Sequence, residues 1–349
     1  MSRKITKKIK VGNMYVGGDS KISVQSMTNT DTRDVDATVN QILDLEKAGC
    51  NIIRCAVPDI ASAEALKNII KQIHIPLVAD VHFDYKLALK SIESGVDALR
   101  INPGNIGNLD RIKMVVEAAK NRGISIRIGV NSGSLEKDIL EKYTKVCPEA
   151  LVESALKHVR ILESLNFYDI CISIKSSDVM HMIKSCRLIS EKVNYPLHLG
   201  VTEAGTLWSG TIKSSIGIGT LLSEGIGDTI RVSLTGDVLD EVKVGREILK
   251  SLGYIEEGVK FVSCPTCGRT QINLIKIAEE VEKRLSKCQK NIKVATMGCV
   301  VNGPGEAREA DIGIAGGNGE GLIFKKGEVI KKVKEENLVE ELIKEIEKL

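Results

Sequence analysis

Apolar and polar residues alternate in short stretches between residues 22 and 251, and helical patterns of apolar residues separate these stretches. Strict alternation predicts strands, whereas apolar residues at every third or fourth position predict amphipathic helices. The alternating stretches are Ile22–Met27, Cys50–Val57, Pro76–His82, Ala98–Gly104, Ser125–Asn131, Asp169–Lys175, Pro196–Thr202 and Thr229–Thr235. Eight strand–helix units predict an α/β fold, a closed (β/α)8 TIM barrel of about 250 residues. Residues 5–18 predict a hairpin that caps the barrel floor.

The pattern changes near residue 253. Two strands, Val259–Val262 and Ile292–Thr296, flank one amphipathic helix, and a second amphipathic helix ends the chain. These elements are too few to extend the barrel and predict a small α+β unit. We therefore expect a TIM-barrel domain for substrate binding over residues 1–253 and a smaller C-terminal domain over residues 254–349. The lysine-rich stretch from residue 325 to 334 predicts a solvated surface.

Charged residues occupy one face of the predicted barrel strands. In the fifth strand, Ile126, Ile128 and Val130 share one face, while Arg127 and Asn131 share the other. Side chains alternate across a strand, and the outer helices must pack on the apolar face. The charged face is therefore expected to point into the barrel and to make its mouth polar and mainly cationic.

Ten polar side chains fall within or just beyond the barrel strands, whose carboxyl ends form the catalytic face of this fold. They are Arg54, Arg100, Asn102, Arg127, Asn131, Lys175, Arg231, His82, His198 and Glu203. Guanidinium groups bind phosphate oxygens in a bidentate manner, so converging cations predict a phosphate or diphosphate ligand. Glu203 is the best barrel carboxylate for acid–base chemistry. The alternative is that each cation forms a structural ion pair with a carboxylate such as Asp80 or Glu203.

Three cysteines of the C-terminal domain have the spacing of metal ligands. Cys264 and Cys267 form a C-x-x-C pair, and Cys299 opens a glycine-rich run that ends at Glu306. Three thiolates can hold an iron–sulfur cubane and leave one iron for a replaceable ligand such as Glu306. A zinc site would need an oxygen ligand because no histidine follows His198. A redox disulfide within the C-x-x-C pair is the third alternative.

Composition excludes several classes of protein. The 49 basic residues nearly balance the 46 acidic ones, and aromatic residues make up 3% of the chain, so a nucleic-acid partner is not expected. No apolar run reaches the roughly 18 residues that would span a membrane. Nine cysteines without a secretory signal favour thiol, metal or redox chemistry over disulfides. We expect a soluble cytoplasmic protein.

Five segments together resemble the bacterial 4-hydroxy-3-methylbut-2-enyl diphosphate synthases. They are Val24–Thr30, Arg100–Asn105, Thr202–Gly205, Ser263–Arg269 and Cys299–Glu306. The resemblance covers essentially the whole chain, and the paired cysteine segments are very specific. It implies a reductive dehydroxylation and ring opening of 2-C-methyl-D-erythritol 2,4-cyclodiphosphate to 4-hydroxy-3-methylbut-2-enyl diphosphate. Two electrons would come from flavodoxin or ferredoxin through a 4Fe-4S cluster.

The same resemblance implies roles for individual residues. The cluster ligands carry over to Cys264, Cys267, Cys299 and Glu306, and Glu203 carries over as an acid near the reacting carbon. The diphosphate-binding residues carry over to Arg54, Arg100, Arg127, Asn131 and Lys175. The family also implies a homodimer in which the barrel of one subunit is closed by the cluster domain of the other.

Two other functions predict different behaviour. A redox-inert barrel transferase, similar in fold to the pteroate synthases and carrying a structural zinc site, would turn over a phosphorylated substrate without a reductant. A metal-stabilised RNA-binding module would bind RNA in a salt-sensitive manner.

Overall fold

The computed structural model describes residues 3–82, 84–102, 108–286, 288–299 and 307–349. Backbone contacts divide the chain into two compact units, Met1–Ile255 and Glu256–Leu349. The described residues form 15 strands and 11 α-helices. No helix among them is both long enough and apolar enough to cross a membrane.

The strands are β1 (Ile9–Val11), β2 (Met14–Val16), β3 (Ser23–Met27), β4 (Ile52–Ala56), β5 (Leu77–Asp80), β6 (Ala98–Ile101), β7 (Ser125–Asn131), β8 (Ile170–Lys175), β9 (His198–Leu199), β10 (Thr229–Ile230), β11 (Lys260–Ser263), β12 (Lys293–Met297), β13 (Ile312–Gly316), β14 (Glu320–Lys325) and β15 (Glu328–Lys334). The helices are α1 (Val35–Lys47), α2 (Ile60–Ile70), α3 (Tyr85–Ser94), α4 (Leu109–Arg122), α5 (Lys137–Tyr143), α6 (Pro148–Ser164), α7 (Val179–Lys192), α8 (Leu207–Ser223), α9 (Val238–Ser251), α10 (Leu274–Leu285) and α11 (Leu338–Glu347).

Eight parallel strands of the first unit form one sheet in the order β8-β7-β6-β5-β4-β3-β10-β9. A bridge between Ile172 and Leu197 joins its two ends, which closes the sheet into the predicted TIM barrel. Strands β9 and β10 have two residues each and are shorter than expected. Their ladder ends just before Gly200. A Cβ added to this glycine would lie only 2.5 Å from the carbonyl oxygen of Arg231 on the neighbouring strand segment.

Aspartate side chains fix the beginnings of several barrel helices. Each accepts a hydrogen bond from a backbone N–H of the first helical turn, which satisfies a donor that the helix itself leaves unpaired. These N-cap residues are Asp34, Asp59, Asp84, Asp178 and Asp237. Because each helix begins soon after a strand ends, the connecting loops stay at the carboxyl edge of the barrel.

The barrel floor is closed by the hairpin β1–β2, as the sequence predicted. The hairpin pairs Ile9 with Val16, and both side chains are buried. They form a small apolar cluster with residues from the barrel strands, including Ile52, Val78 and Ala98. A cavity of about 30 Å³ remains between hairpin and barrel. The ligand-accessible end of the barrel is therefore the opposite one, where the strands end.

The second unit is a five-stranded sheet with the order β11-β12-β13-β14-β15, packed against α10 and α11. Strands β11, β12 and β13 are parallel, whereas β14 and β15 run antiparallel to their neighbours. Strand β15 was not predicted because its residues are almost all exposed, so no alternation of apolar and polar residues marks it. Lysines such as Lys331 and Lys332 are common on edge strands, where they hinder pairing with other chains.

Candidate functional site

Five cations lie inside the barrel, on different strands or just beyond them. They are Arg54 on β4, Arg100 on β6, Arg127 on β7, Lys175 at the end of β8 and Arg231 just after β10. All but Arg231 are buried. The four arginines each contact a neighbouring side chain.

Asp80, at the end of β5, binds two of these arginines. Its carboxylate lies 3.2 Å from Nη1 of Arg100 and 3.7 Å from Nε of Arg54. The imidazole of His82 lies 3.4 Å from the same carboxylate. Burial by itself would raise the pKa of Asp80, but Arg54, His82 and Arg100 together hold it well below its usual value. Asp80 is therefore ionised at any pH at which the protein works.

Arg127 lies near the barrel floor, where it lines the small cavity beneath the hairpin. Its Nη1 donates a hydrogen bond to Oε1 of Gln25 at 2.6 Å, while Nε and Nη2 have no partner among the described residues. Burial lowers the pKa of Arg127 to about 10, and the positive charges of Arg100 and Arg231 act in the same direction. The guanidinium remains charged at neutral pH and has unused donors in a buried environment, which favours an anionic ligand.

The surroundings of Lys175 and His198 disfavour their protonated, positively charged forms. Burial lowers the pKa of Lys175 well below its usual value, and the surrounding guanidinium groups, those of Arg231 and Arg54 first, lower it further. Burial likewise lowers the pKa of His198, and Arg127 and Lys175 add to this effect. An anion placed among these groups would reverse both shifts because opposite charge favours the protonated forms.

Arg231 is held by a carboxylate from an outer helix. Nη2 of Arg231 lies 3.6 Å from Oε2 of Glu241, a buried residue of α9. The other carboxylate oxygen of Glu241 accepts a hydrogen bond from the backbone N–H of Leu234 at 2.9 Å. Among the described residues, the cations inside the barrel thus outnumber the carboxylates that contact them, Asp80 and Glu241.

Two glycines make room for the cations. The guanidinium of Arg100 fills the space beside Gly129, where an added Cβ would lie 2.7 Å from Nη2. A Cβ at Gly200 would lie 3.0 Å from Nζ of Lys175. A distance of 2.7 Å is shorter than real Cβ atoms show, and 3.0 Å is tighter than most of their contacts, so glycine best accommodates the neighbouring side chain at both positions. The sequence alone did not reveal this role of the two glycines, because it does not show which strands are neighbours or in which register they pair.

The remaining predicted site residues lie at the carboxyl edge of the barrel or just within it. His198 is on β9, Asn131 ends β7, Asn102 directly follows β6, and His82 lies two residues after the end of β5. Glu203 is exposed on the loop after β9, with a backbone φ of 52°. A left-handed conformation is uncommon for glutamate and is often found at functional sites. The barrel interior thus has the chemistry of a site for a polyanion, and the exposed carboxylate of Glu203 lies at its rim.

Two of these interactions were missed by sequence reasoning. Gln25 lies in the first predicted barrel strand, which follows the floor hairpin in the sequence. Only closure of the barrel brings its side chain to Arg127. Glu241 lies on α9 among the buried residues Val238, Val242 and Gly245. A carboxylate on the apolar face of a helix was the signal that could have revealed its partner.

The second unit brings its three candidate thiols to one edge of one sheet. Strands β11 and β12 are parallel, and Ser263 is paired with Thr296. Cys264 therefore follows β11 at the edge where Cys299 follows β12. The backbone N–H of Cys264 donates to the Thr296 carbonyl at 3.0 Å, which extends the ladder by one residue.

Hydrogen bonds also hold the C-x-x-C loop against the end of β12. The N–H of Thr270 donates to the Cys267 carbonyl, and the N–H of Gln271 donates to the Gly298 carbonyl, both at 3.0 Å. Cys299 is thus the residue next to the point where the loop is attached. Cys267 is exposed, and hydrogen bonds from Arg269 lower the pKa of its thiol.

The donor set fits a metal that prefers thiolates. All nine cysteines are free of disulfides, so Cys264, Cys267 and Cys299 are all available as ligands. Glu306, the predicted fourth ligand, lies outside the described residues. Within the described residues no three His, Cys, Asp or Glu side chains close into a complete ligand group.

Comparison with known protein families covers both units. Residues 6–246 match the GcpE TIM-barrel domain, and residues 260–348 match the GcpE protein C-terminal domain. A protein of Clostridium acetobutylicum is 72% identical over 100% of both chains, and one of Clostridium perfringens is 71% identical over 99% of both. Both relatives are named 4-hydroxy-3-methylbut-2-en-1-yl diphosphate synthase (flavodoxin).

The barrel also resembles solved structures of other enzymes. The dihydropteroate synthase of Yersinia pestis superposes with a TM-score of 0.50 at 12% identity, covering 70% of this chain and 98% of its own. At this identity the likeness concerns the fold alone. It does not favour the transferase alternative, whereas the family models and the highly identical relatives extend through the C-terminal unit. Over both units, this chain belongs to the GcpE family of enzymes.

Proposed function

We propose that this enzyme forms 4-hydroxy-3-methylbut-2-enyl diphosphate from 2-C-methyl-D-erythritol 2,4-cyclodiphosphate. The reaction is a reductive dehydroxylation with ring opening, in which two electrons enter and a hydroxyl group leaves as water. The names of the relatives support the product and a flavodoxin as electron donor, with ferredoxin as the alternative donor. The relatives that match over both units favour this function over the transferase alternative.

The barrel cations bind the diphosphate in this proposal. Arg54, Arg100, Arg127, Lys175 and Arg231 supply the charge, and Asn102, Asn131, His82 and His198 contribute hydrogen bonds. The support is electrostatic. In the part of the chain that the structure describes, the cations outnumber the carboxylates that contact them, and Arg127 has two buried nitrogens without hydrogen-bond partners. A diphosphate would supply both the missing charge and the missing acceptors.

Glu203 acts as the acid at the rim of the barrel. Its position on the loop after β9 places it on the catalytic face of the fold. The unusual backbone conformation keeps this exposed carboxylate at a defined point of the rim rather than on a regular element. We propose that Glu203 holds the proton that the departing hydroxyl requires.

Cys264, Cys267 and Cys299 hold a 4Fe-4S cluster, with Glu306 as the fourth ligand. When bound, such a cluster supplies single electrons and a Lewis-acidic iron. The single observation that carries the proposal is that the C-x-x-C loop and Cys299 follow neighbouring parallel strands at one edge of one sheet. Iron–sulfur clusters take their ligands from thiolates, and a displaceable carboxylate leaves one iron open to substrate.

The proposed assembly is a homodimer in the cytoplasm. In this arrangement the cluster domain of one subunit serves the barrel of the other, so neither domain alone would be active. Residues 1–253 then act as the substrate-binding domain and residues 254–349 as the cluster domain.

Anaerobic purification followed by iron and sulfide analysis tests the proposal. We expect a brown protein with about four irons and four sulfides per chain. Cys299→Ser is expected to lose the iron and its visible absorption, whereas Cys288→Ser, a change at a half-buried cysteine of the same unit, is expected to keep both. A colourless protein with stoichiometric zinc, or turnover without a reductant, would favour the transferase alternative instead.

A further inference from the structure

The lysine-rich hairpin of the second unit exposes apolar side chains among its charges. Residues 320–334, which form β14, β15 and the turn between them, contain five lysines and two glutamates. All five lysines are exposed, and Val329 and Ile330 among them are 52% and 46% exposed. Lysines alone would protect the edge of the sheet from other strands, without any need for exposed apolar residues. An apolar centre with a charged rim is instead typical of a surface that binds another protein.

Much of this positive charge is not neutralised within the chain. Lys331 forms an ion pair with Glu341 of α11, and Lys332 forms one with Glu320 of β14. In the described part of the chain, no carboxylate forms an ion pair with the other three lysines, Lys325, Lys326 and Lys334. The hairpin therefore presents positive charge that is complementary to an acidic protein surface.

The hairpin reaches the edge of the sheet at which the candidate thiols lie. A continuous row of paired residues runs from Met297 of β12 across β13 and β14 to Lys332 of β15. Lys334 lies two residues beyond this row on β15, and Cys299 lies two residues beyond it after β12, at the same edge of the sheet. Three strand spacings of about 4.8 Å separate β12 from β15, which amounts to about 14 Å. Single electrons cross a protein over such distances.

We propose that residues 320–334 form the docking face for reduced flavodoxin, the electron donor of the proposed function. The partner chemistry is that of a small flavoprotein with acidic side chains around its redox group. Val329 and Ile330 contact the centre of that surface, and the lysines pair with the acidic rim. Charge complementarity of this kind orients two proteins as they meet and raises their rate of association. A second copy of the chain is a poor occupant, because a two-fold axis would place lysines against lysines.

This inference rests on the proposed function, since it needs a cluster that receives the electrons. Reduced methyl viologen separates the two proposals, because a small reductant needs no protein docking face. If the cluster-loaded wild type does not turn over with viologen, the proposed function fails, and direct titration with flavodoxin still tests the face. If the wild type turns over with viologen but neither binds flavodoxin nor accepts its electrons, the docking face fails alone.

Turnover of the full, cluster-loaded chain under anaerobic conditions is the measurement, with reduced flavodoxin or reduced methyl viologen as the reductant. Lys332→Glu/Lys334→Glu reverses two charges at the thiol edge of the hairpin. At low ionic strength its KM for flavodoxin is expected to rise at least about tenfold, because the acidic rim would meet like charge. Turnover with methyl viologen is expected to stay within about twofold of the wild-type value. Iron analysis verifies that the cluster is retained.

Lys283→Glu/Lys348→Glu is the matched control. It reverses the same number of exposed charges in the same unit, one on α10 and one just after α11. Lys348 pairs with Glu345 as Lys332 pairs with Glu320, so each double variant breaks one ion pair. The KM of the control for flavodoxin is expected to stay within about twofold of the wild-type value.

Salt and the apolar residues test the two parts of the face separately. Added salt screens exposed charges, so it should raise the wild-type KM for flavodoxin and should raise the KM of Lys332→Glu/Lys334→Glu less. Val329→Ser/Ile330→Ser removes the apolar centre and leaves the charges in place. Its KM for flavodoxin is expected to rise about fivefold or more, with the salt dependence of the wild type.

Four results would overturn the docking face. The first is an unchanged KM for flavodoxin in Lys332→Glu/Lys334→Glu, and the second is an equal rise in the control variant. The third is an equal loss of turnover with methyl viologen, which would mean that the lysines act on the enzyme's own site rather than on the carrier. The fourth is a changed oligomeric state of Lys332→Glu/Lys334→Glu in sedimentation, which would identify a second copy of the chain as the occupant.

Discussion

The guanidinium of Arg100 occupies the space that a side chain at Gly129 would fill, with Nη2 only 2.7 Å from the position of an added Cβ. Gly129→Ala is therefore expected to displace this guanidinium from the barrel interior. Overpacking of this kind typically costs about 1–3 kcal/mol, so we expect the KM for the cyclodiphosphate to rise about tenfold or more. Because the change acts on binding, kcat should fall less than KM rises.

Gly133→Ala is the matched control for this change. Gly133 lies in the 3-10 turn that follows the same strand, and an added Cβ there meets no atom within 4 Å. Its KM should stay within about twofold of the wild-type value. An unchanged KM in Gly129→Ala would show that Arg100 does not bind the substrate.

Asp80→Asn removes the carboxylate shared by Arg54 and Arg100. Loss of one partner from a buried ion pair leaves uncompensated charge, so the melting temperature should fall by about 6 °C or more. Added inorganic diphosphate should then stabilise the variant more than the wild type, because the barrel holds one more unbalanced positive charge. Thermal unfolding with and without diphosphate measures both effects.

Asp44→Asn serves as the control for Asp80→Asn because Asp44 pairs with Lys47 in an exposed position. Exposed pairs contribute little to stability, so its melting temperature should hardly move. Equal stabilisation of wild type and Asp80→Asn by diphosphate would contradict the prediction.

The protein is expected to take up protons in the barrel interior when diphosphate binds. In the free protein, burial and the surrounding guanidinium groups hold the pKa values of Lys175 and His198 well below their usual values. A bound polyanion raises both pKa values, so protons enter on binding and these two groups strengthen the affinity as pH falls. Calorimetric titration in buffers of different ionisation enthalpy measures the uptake.

Lys175→Gln isolates the contribution of the lysine to this uptake. The protons that diphosphate itself gains or loses are the same for variant and wild type, so they cancel in the difference. We expect fewer protons to enter the variant. The same number in both proteins would show that the protonation state of Lys175 does not change on binding.

Glu306→Gln is expected to retain iron and sulfide while turnover falls by at least about a hundredfold. The three thiolates still hold the cluster, but an amide is a weaker ligand for iron than a carboxylate. Glu309→Gln changes an exposed carboxylate that pairs with Lys293, and its turnover should be unaffected. Wild-type turnover in Glu306→Gln would remove the role proposed for this residue.

The barrel could be predicted because its signals are local. The alternation of polar and apolar residues around Arg127 is a property of a single strand. It correctly predicted that the charged side chains point into the barrel. The same holds for the floor hairpin, whose strands β1 and β2 are adjacent in sequence. Strands β9 and β10 were predicted too long, because their paired ladder ends at Leu199 and Ile230 although the alternating pattern continues beyond both residues.

The interactions that hold the cations could not be predicted in the same way. Glu241 reaches Arg231 from an outer helix, and Arg100 relies on a glycine of the neighbouring strand. Both depend on register and on closure of the sheet, which no local pattern encodes. The C-x-x-C pair was easier to recognise because its spacing along the chain places two thiols in one loop.

The sheet of the second unit is packed by residues other than its exposed thiol. Its core consists of side chains from α10, α11 and the strands, such as Leu274, Val281 and Leu342, whereas Cys267 lies outside it. A chain that has lost the proposed cluster to oxygen should therefore keep the fold of this sheet and its helices. We expect such damaged molecules to be repaired by reloading rather than replaced by new synthesis.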